Sequence, residues 1–92
     1  MRDTRLISDL RFAAARTGTN GHLGFVSFRL GAFIIDGTIV RRALDGRIVL
    51  AFPEHVDRAG VAHPVVRPLD QAARDAITEQ VVAELRRQKA IP

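Results

Sequence analysis

The chain has 92 residues, no cysteine, 47% hydrophobic and 26% charged residues, and a formal net charge of +4. That length allows one domain around one core, and the composition is that of a globular chain rather than a disordered one. The lack of cysteine excludes disulfides, thiolate catalysis and cysteine-based zinc sites. No apolar run approaches the ~20 residues of a membrane span. Met1-Arg2-Asp3-Thr4-Arg5 mixes acid and base with no apolar stretch behind it, so no signal peptide is expected and a cytoplasmic location is. Residues 1–68 hold ten arginines against six acids, while residues 69–92 balance four basic residues with four acids. The positive excess therefore falls on residues 1–68, a distribution compatible with a nucleic-acid partner.

Residues 6–16 alternate and predict a half-buried strand, with Leu6, Leu10, Phe12 and Ala14 on one face and Asp9 and Arg11 on the other. Thr17 to Gly21 is loop chemistry. Leu23–Leu30 predicts a second strand with Val26, Phe28 and Leu30 inward and Gly24 weakening its start. Gly31 marks a turn, and Ala32–Ile35 resumes the sheet. Asp36-Gly37 is either a bulge or a second tight turn. Thr38–Leu44 and Arg47–Phe52 flank Asp45-Gly46, the strongest hairpin signal in the chain, and Pro53 stops the strand. Glu54–Gly60 reads as a polar loop, and Val61–Val66 as a short extended segment that Pro64 confines to an edge. Asp70 is placed to cap a helix over about residues 70–88, in which Ala73, Ile77, Val81 and Leu85 form one apolar stripe and Arg86, Arg87 and Lys89 close the last turn. Strands followed by one helix predict a single α+β domain over residues 1–92, an antiparallel meander packed by a C-terminal helix.

A two-residue Asp45-Gly46 turn sets a register: Leu44 opposite Arg47, Arg42 opposite Val49, Arg41 opposite Leu50. Ile48, Leu50 and Phe52 then face the core with Ile39 and Ala43, and Arg42 and Arg47 become diagonal neighbours on the other face, within roughly 8 Å. Two guanidiniums so placed suit a phosphate, or simply line a solvated face. Arg41 is aimed inward by this register, which is an odd place for an arginine.

His55, Asp57 and His63 could form a metal site only if the loop between them folds back, and His63 suits a structural bond to backbone, so no metal or other cofactor is expected. Asp36, Asp45 and Asp70 are explained by turns and a cap. Ser8 and Ser27 lie mid-strand, not on a nucleophile elbow, and no glycine-rich phosphate loop precedes a helix. No enzyme activity or small-molecule substrate is expected. With no Tyr or Trp, Phe25 and Phe33 are the available stacking surfaces for bases, their other role being packing.

In its order of landmarks the chain resembles the SpoVG family of stage V sporulation and septation regulators. The matching pieces are Ile7-Ser8-Asp9-Leu10-Arg11-Phe12, Phe33-Ile34-Ile35, Asp45-Gly46, Phe52-Pro53, Gly60, Ala62-His63-Pro64-Val65, and Arg74, Ile77 and Val81 on the helix. The resemblance spans roughly residues 6–85 and implies a homodimeric bacterial domain that binds DNA and RNA and tunes gene expression, with no catalytic residues to carry over. The sequence departs from the family after Pro53, where Glu54-His55-Val56 replaces a small residue and a basic pair and only Arg58 remains in the loop, and it carries extra residues between Ile35 and Asp45. The expected nucleic-acid contacts are therefore Arg41, Arg42 and Arg47, with Arg58, Arg67 and Arg74. The rival expectation is a protein-interaction module using a strand edge near Val61–Val66 or the helix's polar side.

Overall fold

A computed structural model describes residues 5–16 and 19–92. Met1–Thr4, and Thr17 and Gly18 of the expected Thr17–Gly21 loop, lie outside the described residues. The chain forms strands β1 (Ile7–Ala14), β2 (His22–Leu30), β3 (Phe33–Arg42) and β4 (Ile48–Ala51), a small pair β5 (Glu54–Val56) and β6 (Ala62–Pro64), and helix α1 (Gln71–Arg87). The first four strands make one antiparallel sheet in the order β1-β2-β3-β4, and β5 pairs only with β6. The α+β meander with a C-terminal helix is thus the observed architecture, and no described helix is long and apolar enough to cross a membrane.

Helix α1 forms where its chemistry predicts. The Asp70 carboxylate accepts the Ala73 N–H at 2.8 Å, satisfying one of the orphan donors of the first turn. Ile77, Val81 and Leu85 are buried, and Ala73 is half-buried. They pack on Ile7, Leu10, Val26, Phe28, Ile35, Val40, Leu50 and Phe52, with Ile91 closing the end. Complete burial of one such aliphatic side chain contributes about 1.5–3 kcal/mol.

The helix also protects both edges of the sheet. Gln80 Oε1 accepts the Leu6 and Ile7 N–H groups at 2.7 and 3.3 Å, and Gln88 Nε2 donates to the Leu10 carbonyl at 3.1 Å, all on the outer side of β1. At the opposite edge Arg74 donates to the Leu50 carbonyl at 3.1 Å. Edge groups left open would invite pairing with another chain; here side chains of the packed helix occupy part of each edge.

Two strand predictions need correction, both through an inserted residue. In β1, Ile7 pairs with Leu30 and Ser8 with Arg29, but Arg11 then pairs with Ser27, so Asp9 and Leu10 together oppose Phe28. This is a bulge, and Asp9 takes the left-handed conformation (φ 51°) that Asp tolerates better than most residues. The extra residue switches the side-chain parity. Ile7 turns inward beside Leu10, while Leu6, expected in the core, is 42% exposed.

The second correction concerns the Asp45-Gly46 hairpin. The Gly46 N–H donates to the Ala43 carbonyl at 2.9 Å and the Ala43 N–H to the Arg47 carbonyl at 2.8 Å. The loop is therefore Leu44-Asp45-Gly46, a three-residue turn ending on a glycine at φ 90°. Arg42 pairs with Ile48, Arg41 with Val49 and Val40 with Leu50, one residue away from the predicted register. Thr38 and Val40 occupy the core instead of Ile39 and Ala43. Ile48, Leu50 and Phe52 stay on the predicted side, so the slip falls entirely on β3. Asp36-Gly37 is a bulge inside continuous β3, between the Val26–Thr38 and Phe28–Ile35 pairs.

The segment 54–60, predicted as a loop, contributes β5. His55 pairs with His63 and Val56 with Ala62, because Asp57 builds the intervening turn: its carboxylate accepts the Ala59 and Val61 N–H groups at 2.9 and 3.0 Å. Every residue of β5 and β6 is exposed. At the base of this arm the Val65 N–H donates to the Pro53 carbonyl at 3.0 Å, one rung beyond the Glu54–Pro64 pair.

Candidate nucleic-acid interface

Helix α1 covers one face of the four-stranded sheet and leaves the other open. The register defines what that open face carries. Ala13 pairs with Phe25, Phe25 with Ile39, and Ile39 with Ala51, so an apolar row crosses all four strands. Phe25 is 43% exposed and Val49 38%. Successive same-face residues on a strand are about 7 Å apart. One such step toward the middle of the sheet brings the Arg11–Ser27 pair, and one step the other way brings His22, Arg41 and Val49. The His22 ring meets the Phe25 ring edge-on, with centroids 5.0 Å apart and planes at 87°, a favourable aromatic geometry that holds Phe25 in place.

Charge is unevenly spread along the sheet. The end that holds the Ala14, His22, Arg42 and Ile48 termini carries Arg16, Arg41, Arg42 and Arg47 with one acid, Asp45. At the far end Arg29 faces Asp9 at 3.5 Å, and Asp36 stands nearby on the β3 bulge. Arg11 and Arg16 form no ion pair with any described residue. Arg41 gives one donor to the Asn20 carbonyl at 3.0 Å and Arg42 one to the Gly46 carbonyl at 3.1 Å. Each keeps most of its five N–H groups for a partner. Arg47 is the most engaged: its Nε lies 3.0 Å from the Asp45 carboxylate. The Arg47 backbone N–H, and after it the Arg47 charge, holds that carboxyl below the ordinary aspartate range.

The expected contact residues are therefore only partly gathered. Arg41, Arg42 and Arg47 share one end of the sheet, but Arg42 and Arg47 are not diagonal neighbours on one face as predicted. Arg41 belongs to the open face, opposite Val49, and Arg42 to the helix side, opposite Ile48. Arg58 sits in the turn of the β5–β6 arm, and Arg67 on the exposed link into α1. Arg74 has a structural place: besides its bond to Leu50 it lies over the Phe52 ring, 5.4 Å from the centroid. Arg11, His22 and Phe25 complete the open-face group, with Arg16 just beyond the end of β1. Of these, Phe25 was foreshadowed as a stacking surface and Arg11 by its outward position. Phe33, the other expected stacking surface, is 73% exposed but pairs with Leu30 on the helix side.

The histidine cluster resolves differently from expectation. The hairpin does bring His55 opposite His63, and His63 Nε2 meets the Asp57 carboxylate at 2.7 Å rather than a backbone group. That bond is the main cause holding the Asp57 carboxyl below its usual range. Among the described residues no three His, Asp or Glu side chains are grouped to hold a metal ion. Clefts among the described residues accompany the fold. One of about 700 Å³ lies between β1 and α1, lined by Ser8, Asp9 and Gln80 among others. Another of about 290 Å³ lies beside β4, where Arg47 and Arg74 are balanced by Asp75 and Glu79. No protein-family model and no curated protein matches the chain.

Proposed function

We propose that this protein is a non-enzymatic, cytoplasmic nucleic-acid-binding regulator that contacts its ligand through the helix-free face of the sheet. The observation that carries the reading is the open face itself: an apolar row through Phe25 flanked by Arg11 and Arg41, at the end of the sheet where arginines exceed acids. Phosphates favour such a surface by charge, while the apolar row offers contact area for bases or sugars. The SpoVG-like order of landmarks over residues 6–85 supports the same reading and adds a role in tuning gene expression.

Arg11 and Arg41 on the open face, joined by Arg16 and Arg42 at the adjoining end of the sheet, supply roughly four phosphate contacts, for which single-strand binding falls with salt at a logarithmic slope of about −3. Raising salt from 50 to 200 mM then weakens binding roughly 50-fold. The test is a salt titration of mixed-sequence DNA and RNA oligomers against protein freed of bound nucleic acid. Arg11→Ala with Arg41→Ala should flatten the slope by about 1.4. Absence of binding at low salt refutes the reading.

The second reading concerns the β5–β6 arm. A two-stranded hairpin is marginal alone, and Val56, Val61 and Val65 are 60%, 51% and 64% exposed beside it. A second copy of this chain, the homodimer that the family resemblance implies, is the partner we assign to these valines. Sedimentation should then show a dimer that Val56→Asp dissociates; a wild-type monomer at high concentration refutes it.

A further inference from the structure

We infer that the ligand of the open sheet face is an unpaired strand, one base of which stacks on Phe25. This rests on the nucleic-acid reading above and narrows it to a substrate class.

Three features carry the inference. The first is where the aromatic sits. Phe25 is on β2, an interior strand hydrogen-bonded on both sides, so its backbone is fixed. The small Ala13 flanks it on one side and Ile39 on the other, while the His22 ring packs against it at 87°. The exposed 43% of the residue therefore belongs to a ring that is held in position and partly open to solvent. Such a ring offers a base a flat surface at little entropic cost.

The second is what a duplex would require. Base edges in a duplex are reached through a groove, by an inserted helix or a two-stranded ribbon, and the base faces are already stacked on each other. An aromatic lying in a broad sheet enters no groove. It can engage a base only when that base is unpaired.

The third is that the elements shaped to enter a groove lack the charge for it. The β5–β6 arm is a ribbon of suitable form, but between Glu54 and Pro64 it carries Glu54 and Asp57 against Arg58. Helix α1 carries Arg74, Arg86 and Arg87 against Asp75, Glu79 and Glu84. Arginine excess is confined to the sheet end beside Phe25, so phosphates of a strand laid across the β-strands would meet Arg11 on one side of the apolar row and Arg41 on the other.

The chain has no tryptophan, so Phe25→Trp installs a single fluorescent reporter at the proposed stacking position. Fluorescence polarisation at low salt would use a labelled mixed-sequence RNA strand and the same strand annealed to its complement. We expect the single strand to bind at least tenfold more tightly than the duplex. Phe25→Ala should weaken it about 5- to 150-fold, the range for loss of one stacked base, measured at a temperature where the variant remains folded. Phe25→Trp should keep affinity, and its emission should be quenched by the RNA. Equal affinity for the duplex, or full affinity of Phe25→Ala while Arg41→Ala binds weakly, overturns the stacking inference and leaves nucleic-acid binding intact. Tryptophan emission that follows protein concentration and ignores RNA overturns it too, by assigning the face to a second copy. No binding of either oligomer sinks this inference and the broader reading together.

Discussion

Gly24→Ala tests the strand alignment on which the open face depends. A Cβ at this position would fall 2.3 Å from the Ala13 carbonyl oxygen and 2.8 Å from the Phe12 ring, where ordinary contact starts at 3.4 Å. Phe12 lies across the glycine, so neither the ring nor the backbone can yield without moving β1. Relief needs a separation of about 1 Å, since repulsion rises steeply inside contact distance. The next rung, the Ala15 N–H to the Leu23 carbonyl, is 2.9 Å long, and that displacement takes it beyond hydrogen-bonding range. Overpacking strain of about 1–3 kcal/mol and one lost hydrogen bond of about 1 kcal/mol sum to about 2–4 kcal/mol. A domain of this size is stable by only about 5–14 kcal/mol. Urea unfolding, with a slope of about 1 kcal/mol/M, should therefore show the midpoint falling by at least about 2 M. Nucleic-acid affinity should fall with it under conditions where the variant remains folded, because Ala13 and Phe25 would lose their alignment. A midpoint within about 0.5 M of the parent would refute the packing account.

Other predictions use groups with single, well-defined surroundings. Thr38 is fully buried and its hydroxyl has no hydrogen-bond partner among the described residues. Thr38→Val should raise stability by about 1 kcal/mol, because it removes an unsatisfied group without changing shape; a lower melting temperature contradicts this. Arg74→Ala should cost about 1–2 kcal/mol through the lost Leu50 bond and Phe52 contact while leaving RNA affinity unchanged, and a binding defect in folded variant would return Arg74 to the interface. The Glu84 carboxyl is held down to about 2 from 4.5, first by the Arg87 guanidinium and next by the Gln88 amide. A carboxyl depressed in the folded state contributes stability above its unfolded value and loses it as pH falls through the folded one. That contribution should therefore fade between about 4.5 and 2, with Glu84→Gln flattening the profile there. An NMR titration placing Glu84 near 4.5 would contradict the pairing.

Much of the fold was legible because it rests on local chemistry. Asp70 caps the helix, and Ile77, Val81 and Leu85 repeat at the interval that makes a buried stripe. The register of β3 was not, because Asp-Gly serves both the two-residue turn and the three-residue turn that ends in a left-handed glycine. A signal did exist: the two-residue version pointed Arg41 at the core and Val40 at solvent, an arrangement the observed register reverses. Strict alternation likewise left Ile7 outside, and the Asp9 bulge brings it in. The extended Val61–Val66 segment was legible, but β5 and its pairing with β6 were not, because that pairing buries nothing and so leaves no hydrophobic period; only Asp57 and Gly60 mark the turn. The open face could be assembled only once the register was known, since Ala13, Phe25, Ile39 and Ala51 are scattered over 39 residues of sequence and meet through three separate pairings.

The most direct test of the central claim is a backbone amide chemical-shift titration of isotope-labelled protein with a mixed-sequence single-stranded RNA. The account predicts perturbations that concentrate on Arg11, Ala13, His22, Phe25, Ile39, Arg41 and Val49 and spare the exposed side of α1 and the tip of the β5–β6 arm. Perturbations centred on the helix or the arm, or none at saturating RNA, would contradict it.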